Sequence, residues 1–546
     1  MQAQSVIDKH PHDPLLRLRS SDEQAELRRP NQRRRRNPFG TIDVSKDLRK
    51  NSVRGASYMS MARIAGLVLR IGSTGVLARM ISQSDFGLIG MTAVFTNFLA
   101  IFMDVGLSQA TIQRPKINHR QISTLFWINV ALSVLIAGIF AGSAPLIAMF
   151  YKTPVLQTII PVLALSFFFG GLGLQHSALL TRNMRYSLLA IAEVGSSIAG
   201  VTVAIFMAKA GMGYWALVGL TLAPPVVKTL ILWLSLRWMP SLPSRNNGVK
   251  SMLKFGGDVL GFNIVNYFSR QAGSLLIGRY CGANPLALYD RAYSLLLMPL
   301  GQINGPLGAV SVPALSRLQH EPERFGRYYL NAILLICSLS IPVIAGMTLF
   351  ADQVVLLWLG REWMNTAEIF RLLSVAALIG GISNPAGWLL IALGDTKRYR
   401  TMGVVNSAII VAAFILGAIL GPKEAGHDGS FRGVAIGYSL AMILNFIPYW
   451  AWSLKGTPVK LGQVLRTMMV PTISCIPACL AAWGIMHFCK TSVDSLATGT
   501  IAEKAVAWAP VAGAGLAFGL IYAAILLFGF KKLAFFRNIA GEFRKK

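Results

Sequence analysis

Apolar stretches long enough to cross a bilayer, about 17–25 residues each, recur along this chain near 55–79, 87–110, 122–149, 155–180, 186–208 and 213–236. A basic segment rich in proline and asparagine, LRWMPSLPSRNNGVKSMLK, then interrupts them. The series resumes near 254–278, 286–313, 328–351, 365–393, 401–420 and 433–453, with two more stretches near 467–488 and 505–529. The pattern predicts an all-α polytopic membrane protein of about 14 transmembrane helices, grouped six, six and two. It divides the chain into a polar basic tail (1–50), a first six-helix bundle (51–240), a second (241–455), and two further helices with a basic tail (456–546).

The polar positions repeat. In a register shifted by 200 residues, Arg54, Arg63, Arg70 and Arg79 fall on Lys254, Asn263, Arg270 and Arg279. LARMISQSDFGLIG (77–90) falls on IGRYCGANPLALYD (277–290), and Asp104 on Asn304. Two six-helix halves inserted in the same sense are parallel repeats about an axis along the membrane normal, and such halves enclose a central cavity.

Arg63 and Arg70 are two helical turns apart and share one face; Asn263, Asn266 and Arg270 do the same. A charge at the bilayer centre costs about 2.5–3.5 kcal/mol, so these groups are expected to face protein or water rather than lipid. Pro224-Pro225 in the sixth stretch, and Pro299, Gly305-Pro306 and Pro313 in the eighth, are expected to interrupt their helices where neighbours or cavity water satisfy the freed carbonyls.

Charge fixes the orientation. Alternate loops carry 18 Lys and Arg on one side and 10 on the other, the second set including Arg279 and Arg291. Both tails join the richer side, which the positive-inside rule makes cytoplasmic. The net charge of +29 is therefore a membrane signature, and nucleic acid is not an expected partner. The first fifty residues, with Arg33 to Arg36, lack the apolar core of a signal peptide and read as a disordered cytoplasmic tail.

Catalysis is not expected. The loops are too short for a catalytic domain, and His176 and His487 have no acid at turn spacing. Five cysteines and seven histidines form no metal-binding motif, so neither a metal nor a catalytic residue is assigned.

Three segments carry a resemblance: LARMISQSDFGLIGMTAVFTNFLAIFMDVGLSQATIQR, LLTRNMRYSLLAIAEVGSSIAG and LIGRYCGANPLALYDRAYSLLLMP. They resemble the polysaccharide transporter family of oligosaccharide flippases, and within it the colanic acid and exopolysaccharide exporter branch. The likeness runs from about residue 50 to about residue 455. It implies a bacterial inner-membrane protein that moves undecaprenyl-diphosphate-linked sugar repeats to the periplasmic leaflet by alternating access. It also implies a cationic lumen, and a polysaccharide polymerase and export machinery as partners. Two features depart from the family pattern: Asn263 stands where the first half has Arg63, and the long basic tail is extra.

Arginine suits the diphosphate because its planar fork stays charged and donates two bonds at once. Arg63, Arg70 and Arg270 are assigned to the headgroup, and Asn263 and Asn266 to sugar hydroxyls, with the prenyl tail left in membrane lipid. Lys228 is a further cation for the substrate. Asp104, Glu193, Asp258 and Asp290 are candidates for a coupling sodium ion or proton, or for neutralising a nearby arginine. No cofactor is assigned beyond that ion. The rival readings are a multidrug or cation antiporter, a lipid II flippase, and a membrane-embedded polysaccharide polymerase.

Overall fold

The computed structural model describes residues 48–103, 107–113, 117–236, 238–243, 267–268, 270–422, 429–489, 496, 501–530, 532–534 and 536–537. Among these, twelve helices are long and apolar enough to cross a membrane, and the chain is a multi-pass membrane protein.

The first half runs α1 (Leu48–Ala78), α2 (Gln83–Ala100), α3 (Leu107–Gln113), α4 (His119–Gly142), α5 (Ala144–Tyr151), α6 (Leu156–Arg182), α7 (Tyr186–Lys209) and α8 (Tyr214–Leu236). The second begins with a helix over 270–280, α9. It continues through α10 (Ala283–Arg317), α11 (Pro322–Leu349), α12 (Ala351–Trp358), a 3-10 turn (Arg361–Trp363), α13 (Asn365–Ala392), α14 (Thr396–Leu420) and α15 (Phe431–Leu454). Two helices follow, α16 (Leu461–Phe488) and α17 (Ile501–Ala524), the latter ending in a π-helical turn, Ile525–Gly529. The seventh expected stretch, 254–278, lies mostly outside the described residues. The second is an eighteen-residue helix that is not among the twelve.

The long–short–long run α4, α5, α6 of the first half recurs as α11, α12, α13 in the second, whereas the first half has α2 and the short α3 where the second has one continuous α10. Two points differ from expectation. The stretch 122–149 is not one helix: α4 ends at Gly142, and α5 starts anew with Pro145 in its first turn. Proline fits there because the first helical N–H groups have no partner within the helix. The equivalent short helix in the second half, α12, was likewise unforeseen. The prolines, by contrast, break nothing. Pro224 and Pro225 lie inside a continuous α8, and Pro299, Pro306 and Pro313 inside a continuous α10 of 35 residues. Each removes one ladder bond, which packing against neighbouring helices offsets; Pro224 seats directly against Gly200 of α7.

The halves meet through equivalent elements. α2 packs on α10 so closely that a Cβ at Gly87 would collide with the Ala283 carbonyl. Beside it, Gly90 leaves room for the carboxylate of Asp290. The end of α1 rests on the second half's short helix: Trp358 Nε1 donates to Ile71 O (2.8 Å) and Trp363 Nε1 to Ala78 O (2.9 Å). The end of α9 makes the reciprocal contact, with Gly278 against the Tyr151 ring of α5. Arg79 and Arg279 obey the same symmetry. The first donates to Leu357 O at 2.7 Å, and the second lies over the Phe150 ring at 6.0 Å.

α16 and α17 stand outside this two-fold arrangement. They pack together and against α11, where Tyr522 Oη donates to Ser338 O at 2.8 Å.

Candidate functional site

Arg63 lies midway along α1 and Arg70 two turns beyond it, both exposed. Arg270 is exposed at the start of α9. Arg63 and Arg70 lie in one apolar span, where a charge facing hydrocarbon costs about 2.5–3.5 kcal/mol. Asn263, Asn266, Asp104 and Asp258 lie outside the described residues.

Between the halves, four elements bring polar groups together. Asp290 of α10 accepts from Ser274 Oγ of α9 at 2.8 Å. Its neighbour Arg291 stacks over the Phe86 ring of α2 at 4.9 Å and lies within electrostatic range of Asp290 and of Arg70. Arg291 does not belong to an outer loop, where the charge count put it. It sits two turns inside α10, because that helix starts at Ala283. Asp290 thereby has a resident cation beside it.

Lys228 and Glu193, foreseen in separate roles, form one ion pair. Lys228 Nζ is 2.6 Å from Glu193 Oε2, with the two side chains 38% and 52% exposed. Glu193 follows Ala192 of α7, a residue in the small cluster against which Met59 of α1 packs.

The second half contains a cavity of about 380 Å³ that no sequence motif announced. Its lining comes from α9, α10, α13, α14 and α15, and Arg270 is the single charged residue among the described residues that line it. Four asparagines contribute: Asn304, Asn384, Asn406 and Asn445. Asn445 Nδ2 donates to Asn406 Oδ1 at 2.8 Å, joining α15 to α14. Tyr293, Tyr438, Tyr449, Phe414 and Phe446 supply aromatic wall, with Tyr293 edge-on to Tyr438 at 6.5 Å between centroids. Asparagine within an apolar span was the available signal. Four of them on four different helices share no spacing that would reveal a common wall.

No group of three or more His, Cys, Asp or Glu able to hold a metal occurs among the described residues.

The profile of the family described as "Polysaccharide biosynthesis protein" matches residues 76–368. The chain is 27% identical over 449 residues to the teichuronic acid biosynthesis protein TuaB of Bacillus subtilis, covering 80% of this chain and 89% of that protein. It is 24% identical over 448 residues to the lipopolysaccharide biosynthesis protein WzxC of Escherichia coli, covering 80% and 88%. It is 23% identical over 430 residues to the succinoglycan biosynthesis transport protein ExoT of Rhizobium meliloti, covering 77% and 83%. Among solved structures, the lipid II flippase MurJ in an inward closed conformation shares the fold, with TM-score 0.64 and 13% identity, over 88% of this chain and 99% of that one. An inward-facing multidrug resistance MATE family transporter shares it with TM-score 0.58 and 16% identity, over 74% and 95%.

Proposed function

The chain belongs to the polysaccharide biosynthesis protein family, a transporter and not an enzyme, and on that premise we propose that it flips an undecaprenyl-diphosphate-linked oligosaccharide from the cytoplasmic to the periplasmic leaflet of the inner membrane. The observation that carries the reading is the set of exposed arginines, Arg63 and Arg70 within the first apolar span and Arg270 at the wall of the second-half cavity. A diphosphate is the anion such a set fits best, because each guanidinium presents a fork of donors to phosphate oxygens.

The physical task is to carry a doubly charged, hydroxyl-rich headgroup across about 30 Å of hydrocarbon. Arg70 and Arg270 occupy equivalent positions in the two halves and grip the diphosphate from both sides. Arg63 and Lys228 extend the cationic surface in the first half. The prenyl chain stays in lipid, so the protein shelters only the polar end. Rocking of one half against the other exposes the headgroup to each side in turn. Both termini are cytoplasmic in this reading, as the loop charges direct. Asp290 serves as the counter-charge of Arg291, and Glu193 as that of Lys228.

A multidrug antiporter of this fold is the weaker reading. Cationic drugs call for unpaired acids in the lumen, whereas Glu193 already holds Lys228. The test is export by an Arg70→Gln/Arg270→Gln double variant present in the membrane at the parent level. Loss of translocation of a polyprenyl-diphosphate oligosaccharide in proteoliposomes is expected. Full translocation refutes the headgroup assignment.

A further inference from the structure

The proposed function leaves the sugar without a described partner, and the second-half cavity has the chemistry for one. Its volume, about 380 Å³, lies toward the small end of the range usual for ligand pockets, roughly 300–1,000 Å³. Its described walls combine carboxamides with aromatic rings and one charge, Arg270. A carboxamide both donates and accepts, as a sugar hydroxyl does, and the two can satisfy each other in full. Asn304 Oδ1 is buried without a hydrogen-bonding partner, a vacancy costly to leave unfilled. The Asn445–Asn406 bond uses one donor and one acceptor of that pair, leaving an amide oxygen and an amide nitrogen for a ligand. Tyr293, Tyr438 and Phe414 line the same wall, so apolar ring surface lies beside the carboxamides for the C–H groups of a pyranose to contact.

Among the described residues, the first half carries a different pair at the corresponding place. Lys228 and Asn445 are each fourteen residues beyond the first residue of their helices, α8 and α15. Each reaches across to the preceding helix, Lys228 to Glu193 and Asn445 to Asn406. One half thus carries a charged pair where the other carries a neutral one.

We propose that the amide- and tyrosine-lined cavity of the second half is a saccharide-binding subsite, which takes the uncharged sugar rings next to the diphosphate while Arg270 at its wall holds the phosphate. This rests on the flippase reading above and adds the class of sugar, neutral and hydroxyl-rich, since the described lining residues offer carboxamides for hydroxyls and, beyond Arg270, no charge to pair with a uronic acid or an amino sugar.

The full-length protein in lipid nanodiscs is titrated with two probes: undecaprenyl diphosphate, and the same lipid carrying a neutral disaccharide. Two variants test the cavity. Gly301→Leu fills it from a position where a Cβ meets no atom within 4 Å, and Asn304→Ala removes an amide. Both are expected to weaken binding of the disaccharide lipid about tenfold, while leaving the bare lipid unchanged. Equal losses with both probes, or no loss with either, overturn the subsite. With one variant adding bulk and the other removing a polar group, a folding defect in either leaves the other to decide. The Arg70→Gln/Arg270→Gln variant is titrated in parallel. If it binds both probes as the parent does, the headgroup reading fails; if it loses both while the cavity variants do not discriminate, only the saccharide subsite fails.

Discussion

Lys228 Nζ lies 2.6 Å from Glu193 Oε2 and ties α8 to α7 within the membrane-spanning part of the first half. A charge pair in this setting has two sides to its energetics. Removing both charges leaves a neutral contact, whereas removing one strands the other in a medium that solvates it poorly. Both side chains are more than a third exposed, so the coupling is set at about 1 kcal/mol rather than the several kcal/mol of a fully buried pair.

Lys228→Met and Glu193→Gln are therefore each expected to lower the melting temperature of the detergent-purified protein, and the double variant to recover most of the loss. A double variant as unstable as the sum of the singles would show that the two charges act independently.

The contact between the halves is the next point of leverage. Gly87 allows the backbones of α2 and α10 to touch, and Trp363, fully buried, hydrogen-bonds across to Ala78. Gly87→Ala forces the helices apart at a cost of about 1–3 kcal/mol, and Trp363→Phe loses a bond of about 0.5–1.5 kcal/mol. Both changes act against the arrangement in which α2 meets α10. A cysteine pair at positions 83 and 362, where the Gln83 amide donates to the Glu362 carbonyl, is expected to react with a short bifunctional cross-linker several-fold less in either variant than in a parent carrying the same pair. Unchanged cross-linking would mean that this contact does not govern how the halves sit.

Much of this architecture was legible from one register. Arg70 with Arg270, and Arg79 with Arg279, announced two like halves, and Arg79 and Arg279 make matching contacts, each with the short helix of the other half. They could be read because a charge in an apolar run is costly and therefore conspicuous. α5 and α12 could not be read, because the apolar run continues unbroken through Ser143 and through Phe350 while the chain turns there. Arg291 was misplaced for the opposite reason: a charge near the end of an apolar run looks like a loop residue until the helix start is known. The cavity asparagines were the least legible. Asn304, Asn384, Asn406 and Asn445 converge only after four helices have packed, and packing is a three-dimensional fact.

Asp290 beside Arg291 permits a test of what the acid is for. As the counter-charge of Arg291, with Arg70 nearby, its loss leaves two cations facing each other with less to offset them. Asp290→Asn is then expected to lower stability, and Asp290→Asn/Arg291→Gln to restore it. As a coupling-ion site, Asp290→Asn would instead leave stability near that of the parent and abolish the dependence of transport on the sodium or proton gradient. Thermal unfolding together with liposome translocation under imposed gradients separates the two.

The last two helices lie outside the repeat, and their attachment is localised enough to be tested by itself. Tyr522 Oη donates to Ser338 O of α11, and the Phe518 ring packs against Gly346 of the same helix. A backbone carbonyl within a helix already accepts from the turn beyond it, so losing the tyrosine hydroxyl leaves it satisfied. Tyr522→Phe should then cost no more than about 0.5–1.5 kcal/mol. Phe518→Ala removes ring area from a packed contact and should cost more, about 3–5 kcal/mol if the site cannot collapse. Neither residue lines the second-half cavity, and neither lies on the two halves that hold Arg63, Arg70 and Arg270. The expected outcome is a variant with a lowered melting temperature whose translocation rate per folded molecule matches the parent. A rate that falls while the melting temperature stays constant would place α16 and α17 in the transport cycle itself.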